Sequence, residues 1–196
     1  MTRPYYPKRQ RNNNKKVAVI VGIVAVSVFA LTMIWYPQIS AQTNKIQSSL
    51  TSESNSIASK FSDTSSSDAQ TIKSQVQDLV NQQRTQHGLS SLIWNNQIAQ
   101  IAESHSVDMF QNDYTDHNDL TGKTPADRLQ SVAICSYPSE NIGWTKGVYA
   151  DNVASKIVGE WMNSPGHRAN ILSSLTNAGV GVSFDGYYAI ITIDFC

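Results

Sequence analysis

The residues of this 196-residue chain able to do chemistry are few: four histidines, two cysteines, and carboxylates scattered among fifteen acidic positions. His117 lies in the acidic run NDYTDHND (112–119), Glu140 in SENIGW (139–144), and His167 directly after a Ser-Pro-Gly break in WMNSPGHRANIL (161–172). An imidazole titrates near neutral pH, so it serves as metal ligand, proton carrier or hydrogen-bond hinge, and a carboxylate beside it orients the ring or holds a water. On residue type alone, His117 reads as a surface residue and His167 as a helix-start residue bonded to backbone. His105 falls on an apolar helical stripe and reads as core. His87 before Gly88 reads as a helix-end cation, and Glu140 and Asn141 after a strand read as structural acceptors.

Several chemistries are excluded. Ser139 and Ser164 lie near these histidines in sequence, but neither sits in a glycine-flanked nucleophile elbow. Asp113, Asp116 and Asp119 lack the glycine and terminal Glu of a calcium loop and read as solvated. There is no phosphate loop and no dinucleotide fingerprint. Two cysteines in an exported domain favour a disulfide over a thiol nucleophile. Cys135 stands beside the first predicted strand and Cys196 ends the last, so a bridge between them is expected; an unpaired or intermolecular Cys196 is the alternative.

The elements that must position these residues follow from periodicity. Asp68 is the expected N-cap of a helix carrying Ile72, Val76, Leu79 and Val80 on one stripe, ended by Gly88. A second helix covers about 96–110, with Ile98, Ile101, Ala102, His105 and Met109 aligned. Thr124 and Pro125 open a short third, and a fourth runs from about Asp151 through Val153, Ile157 and Trp161 to Pro165-Gly166. Residues 132–144 form a β-rich segment, and 180–184 joins 187–195 through an Asp185-Gly186 hairpin. Helices first and strands last, with a helix inserted, give an α+β class.

Charge divides the chain. The residues before Val17 hold six basic side chains and no acidic one, leaving nine basic against fifteen acidic on the rest, a net of −6. An acidic body argues against nucleic acid as partner. Val17 to Tyr36 is uncharged and long enough, at ~1.5 Å per residue, to cross ~30 Å of hydrocarbon. Residues 1–16 are therefore expected in the cytoplasm, 17–36 as a single transmembrane signal-anchor, 37–68 as a flexible Ser/Thr-rich stalk, and 69–196 as an extracellular domain. A secreted form cleaved after Ile39-Ser40-Ala41 is the alternative.

Taken together, HSVDMF (105–110), Asp116-His117, SENIGW, WMNSPGHRANIL and AGVGVSF (178–184) resemble, in order, the CAP superfamily (also SCP or PR-1) in its short prokaryotic form, over roughly 69–196. The resemblance implies an α-β-α sandwich with a cleft into which His117, Glu140 and His167 project. Ser164 stands where longer members carry a second acid, and Glu160, one helical turn earlier, shares its face. Two neutral imidazoles suit Zn²⁺ at ~2.0 to 2.1 Å, and with fewer than the usual three protein ligands the site is expected to be weak, with Glu140 in support. The leading functional expectation is an extracellular, membrane-tethered module that binds an unknown ligand (lipid, peptide or surface polymer) in or beside this cleft, without assigned catalysis. The alternatives are a metal-dependent hydrolase or peptidase with Glu140 as base, and a structural module whose cleft is idle.

Overall fold

A computed structural model describes residues 37–196, with side chains from residue 45 onward except 61–64. Residues 64–196 form one compact unit; 37–63 belong to another. The expected membrane span at 17–36 lies outside the described residues, and among those described no helix is long and apolar enough to cross a membrane.

The first helix, α1 (Pro37–Gln86), corrects two expectations: it runs without a break through Asp68, and the Ser-rich stretch read as a flexible stalk is helical. Ser48, Ser49, Thr51, Ser52, Ser54 and Ser59 each donate back to a carbonyl three or four residues earlier at 2.8 to 3.0 Å, a bonding mode the helix tolerates. Every described side chain from 45 to 60 is exposed. From Ile72 on, the same helix buries Ile72, Val76 and Val80 completely.

The remaining elements are β1 (Ile93–Trp94), α2 (Asn96–Gln111), α3 (Pro125–Leu129), β2 (Ser139–Lys146), α4 (Ala150–Asn163), α5 (Pro165–Ile171), β3 (Asn177–Phe184) and β4 (Tyr188–Phe195). Asn95 caps α2 through its side chain, and Thr124, the expected opening residue of α3, forms a capping box with Asp127. The β-rich reading of 132–144 is shortened: only Ser139 onward is strand, because Val132 and Cys135 close turns behind α3. The β3–β4 turn is shifted by one residue. Asp185 N–H donates to Tyr188 O, so the central pair is Gly186-Tyr187, with Gly186 at φ 86° in the first position. That is the place a primed turn gives to glycine. Asp185 Oδ1 also accepts from the amides of Tyr187 and Tyr188.

The sheet order is β1-β3-β4-β2, with β1 parallel to β3 and the other pairs antiparallel. Alternation fixes the layers. Ala178, Val180, Val182 and Phe184 of β3 and Ala189, Ile191, Ile193 and Phe195 of β4 pack with α1, α4 and Ile171 of α5 in the main core. Gly179 and Gly181 point the other way, where a Cβ would lie 2.1 Å from Ala99 N and Glu103 N, so α2 lies directly on the strand. The α-β-α sandwich is thus observed, with α2 and α3 on the second face. There Ile98, Leu129, Val132 and Cys196 form a smaller apolar cluster, closed by the expected Cys135–Cys196 disulfide across 61 residues. On the chain-entropy view such a loop contributes ~4 kcal/mol.

Arg84 carries a role that periodicity did not reveal. It is 3% exposed, and its guanidinium donates to the carbonyls of Ser90, Ile171, Ser173 and Leu175 at 2.8 to 3.1 Å. The end of α1 is thereby tied to the turn that leaves α5. Removing the guanidinium strands four acceptors, so Arg84→Ala should cost about 2 to 4 kcal/mol in chemical denaturation. Arg84→Lys should recover little, since one ammonium cannot span the fork; recovery to wild-type stability would refute this account.

Candidate functional site

His117 sits in the loop between α2 and α3, and two buried groups hold that loop. His105, 1% exposed on α2, places Nε2 3.0 Å from Asp116 O. Burial first, then the nearby Arg128 charge, hold its pKa below the ordinary value, so the neutral ring donates through Nε2. The core reading of His105 stands, with a loop anchor added. Arg128 of α3 donates through Nη1 to His117 O at 2.8 Å and Lys123 O at 3.1 Å. At the start of the loop the Tyr114 hydroxyl donates to the Asp108 carboxylate.

Glu140 is where these parts meet. Its side chain is 1% exposed; Oε1 lies 2.6 Å from His117 Nδ1 and Oε2 accepts from Arg128 Nη2 at 2.5 Å. The His117 ring is half-exposed. Its hydrogen bond to Glu140 raises its pKa above the ordinary value, against the opposing pull of burial. With Nδ1 turned to Glu140, Nε2 faces the cleft.

Asn141, the next residue, points to the other face. Its Nδ2 donates to His167 O at 3.0 Å, and its Oδ1 accepts from Asn170 Nδ2 at 2.8 Å. Asn170 also donates to Glu140 O at 3.1 Å. The structural reading of Asn141 is confirmed, and what it supports is the backbone of His167. Proline at the first position of α5 restarts the helix at Pro165, so the ring enters the cleft within one turn of the break. Burial, then the charge on His117, lower the His167 pKa. The two rings are pushed apart, one toward imidazolium and one toward neutral imidazole.

The rings share an open cleft of about 450 Å³ lined by Ile142 to Lys146 of β2, Lys156, Glu160, Trp161 and Ser164 from the α4 side, and Thr115, Asp116, His117 and His167. Glu140 lies behind this lining. Ser164 ends α4 and precedes α5 without a side-chain capping bond. Glu160 lines the cleft while paired with Lys156 at 2.5 Å, so its charge is already matched. Among the described residues no three His, Cys, Asp or Glu side chains gather as a metal site. The donor set is two ring nitrogens, one of them oriented by Glu140.

One buried group was missed by sequence reading. Asp194 is completely buried beside Glu140 in the β2–β4 register, and neither of its oxygens accepts a hydrogen bond among the described residues. Two carboxyl groups face each other there, and a proton on one turns that contact into a hydrogen bond. Burial, then the Glu140 charge, push Asp194 well above the ordinary carboxylate range, so Asp194 is the one that holds the proton.

Comparison with known proteins bears on the family and the fold. The sequence model of the family described as "CAP: Cysteine-rich secretory protein family" matches residues 77–195. The "Uncharacterized membrane protein YlbC" of Bacillus subtilis is 38% identical over 114 residues, which is 57% of this chain and 32% of that protein. YkwD of the same organism is 36% identical over 54% of this chain and 40% of its own length. The chain therefore spans well under half of these relatives. Among solved structures, an extracellular protein containing an SCP domain from Bacillus anthracis is similar at 37% identity with a TM-score of 0.54, over 63% of this chain and 39% of that one. An outer surface protein of Borrelia burgdorferi, at 19% identity and TM-score 0.50 over 61% of this chain and 86% of its own, shares the fold.

The Asp194 proton gives a pH test. The unfolded chain releases it near ~3.9 while the folded protein retains it, so above that pH folding takes up a proton and wild-type stability falls. Relative to the neutral isostere Asp194→Asn, the wild-type folded-to-unfolded ratio should drop about tenfold per pH unit above ~4 until the native group ionises. Denaturant midpoints of the two proteins at pH 4, 5.5 and 7 measure this; a gap independent of pH would mean Asp194 is ionised in the native state.

Proposed function

Because the chain belongs to the CAP family, with residues 77–195 matching it, we propose that it is a membrane-tethered extracellular module that binds a ligand in the cleft between His117 and His167. The observation that carries the reading is the way these rings are held. Glu140 holds the His117 ring and Asn141 the backbone of His167 from opposite faces of one strand, and both histidines line an open cavity of about 450 Å³ with mixed polar and aromatic side chains. Ligand sites combine such a concave surface with a few fixed polar groups. Buried polar side chains here are spent on orientation, which a purely structural face does not require.

Zinc belongs to the same proposal. His117 Nε2 and the His167 ring suit a weakly held Zn²⁺, with Glu140 fixing the tautomer of His117 as carboxylates do behind metal-bound imidazoles. When bound, the ion supplies a Lewis acid for a ligand oxygen. Coordination needs neutral rings, and the Glu140 bond favours the charged form of His117, so affinity falls as the medium becomes more acidic.

A panel of lipids, surface polysaccharides and peptides screened against the full chain, with and without Zn²⁺, tests the cleft. Ligand binding should weaken at least about tenfold, ~1.4 kcal/mol, in His117→Ala and in Ser164→Trp, which fills the cavity without touching Glu140. Binding unchanged in both variants would move the ligand elsewhere.

Tethering rests on the uncharged 17–36 stretch with six basic residues before it, and one relative carries the name membrane protein. Protease added to intact cells should cut within 37–63 and release the 64–196 unit. Protection until lysis would reverse the proposed orientation, and a soluble form starting near Gln42 would replace the anchor with a cleaved signal.

A further inference from the structure

The cleft floor is a strand edge. β2 is terminal in the sheet and bonds only to β4. Two bonds settle which of its residues face outward. Cys196 and Asn177 exchange backbone bonds at 2.8 and 3.0 Å, so even-numbered residues of β4 bond to β3 and odd-numbered ones to β2. Gly147 N–H donates to Tyr187 O at 2.8 Å in the same register. Asn141, Gly143 and Thr145 therefore turn their amides and carbonyls toward β4, while Glu140, Ile142, Trp144 and Lys146 turn theirs outward.

The outward groups divide into two sets. At the His end they are covered: Glu140 O accepts from Asn170, and Ile142 O accepts from Trp161 Nε1 at 3.0 Å. From Trp144 onward no strand or side chain among the described residues pairs with them, and Ile142 to Lys146 all line the cleft. Proteins usually blunt a free edge with a bulge, a proline or a covering element. From Trp144 on this edge has no bulge, proline or covering element among the described residues, only the charge of Lys146, and it lies in the cleft that the two histidines also line. Ile142 to Lys146 run about 17 Å at ~3.4 Å per residue.

A ligand that matches this surface must present donors and acceptors at every second residue. We propose that the cleft binds an extended peptide segment as an added antiparallel or parallel strand on the Trp144–Lys146 edge of β2, with one end of the segment reaching His117 and His167. Main-chain bonds supply affinity in this mode and alternate side-chain pockets supply selectivity. Trp144 offers the apolar contact, in a tilted stack with Tyr188 at 6.2 Å between ring centroids. Glu160 and Lys156, paired with each other, and the exposed Lys146 offer charges to outward side chains. A lipid tail has no groups for the backbone edge, and a glycan repeats at a different spacing.

This inference rests on the cleft-binding reading and can fail separately from it. A random decapeptide library is selected on the full chain, and the best peptide is resynthesised with single N-methyl groups along its backbone. N-methylation should weaken binding about tenfold at alternate residues and little at those between, since each methyl removes one edge-facing donor. On binding, hydrogen exchange at the Trp144 and Lys146 amides should slow, while the Gly143 and Thr145 amides, already in the β2–β4 ladder, stay unchanged. Trp144→Pro should lose more affinity than Trp144→Ala, because proline removes the outward N–H and spares the ladder. A flat N-methyl profile, or exchange that slows elsewhere, overturns strand addition. If no peptide binds while a lipid or glycan is lost in Ser164→Trp, the peptide inference fails and the cleft reading survives. If no ligand of any class responds to His117→Ala or Ser164→Trp, both fail.

Discussion

Two consecutive residues on an edge strand, Glu140 and Asn141, hold the site together because a strand sends neighbouring side chains to opposite faces. Glu140 reaches the loop that carries His117, and Asn141 reaches the backbone of His167 on α5. An odd spacing is what lets one strand hold both. Two residues apart, they would share a face, and one of the rings would lose its support. The free edge of β2 leads away from the rings along the same strand, and the cleft is lined from both layers of the sandwich.

The interior behind this arrangement is polar where the opposite face is not. On the α1 and α4 side the sheet meets an apolar core. On the α2 side lie Thr192, Asp194 and Glu140, with His105, Ser106 and Arg128 facing them. Ser106 Oγ donates to Thr192 Oγ1 at 2.9 Å, and Arg128 spans Glu140 and two loop carbonyls. A buried charge is tolerated when it is paired and its remaining bonds are made. Arg128 meets that need for Glu140, and a proton meets it for Asp194. The Cys135–Cys196 bridge with Leu129, Val132 and Ile98 seals this polar layer at one end, so the disulfide protects the site's supports as well as the fold.

Much of the domain was legible in the sequence because its signals are local. Thr124-Pro125 and Pro165-Gly166 mark helix ends by capping and proline chemistry, and the Ile98 to Met109 stripe marks the buried face of α2. Motif order brought His117, Glu140 and His167 together, as the structure does. The parts that were not legible depend on tertiary partners. Arg84 and Arg128 look like ordinary surface cations in sequence, yet their roles are set by carbonyls up to 91 residues away for Arg84 and by a carboxylate 12 residues away for Arg128. Asp194 in IDFC reads as an outward strand residue, because alternation cannot say that the second face is also covered. The Ser-rich stretch misled for a different reason: composition measures the absence of a packed face, and this exposed stretch continues a helix that is packed from Ile72 on.

The missing second carboxylate changes what the cleft can do. Ser164 stands at the turn where the resemblance expects an acid, and Glu160, the nearest acid on α4, is paired with Lys156. Glu160 is not among the groups that shift His167, whose pKa is lowered by burial and by His117. A carboxylate at 164 would pull that ring toward the charged form, as Glu140 does for His117. With serine there, the site keeps two histidines of opposite tendency, one offering a proton and one accepting it. Such a pair can hold a carbonyl or carboxylate oxygen against His117 and a donor N–H against His167. Those are the two kinds of polar group that every peptide unit carries, so on the proposed reading the rings and the free edge of β2 suit the same ligand.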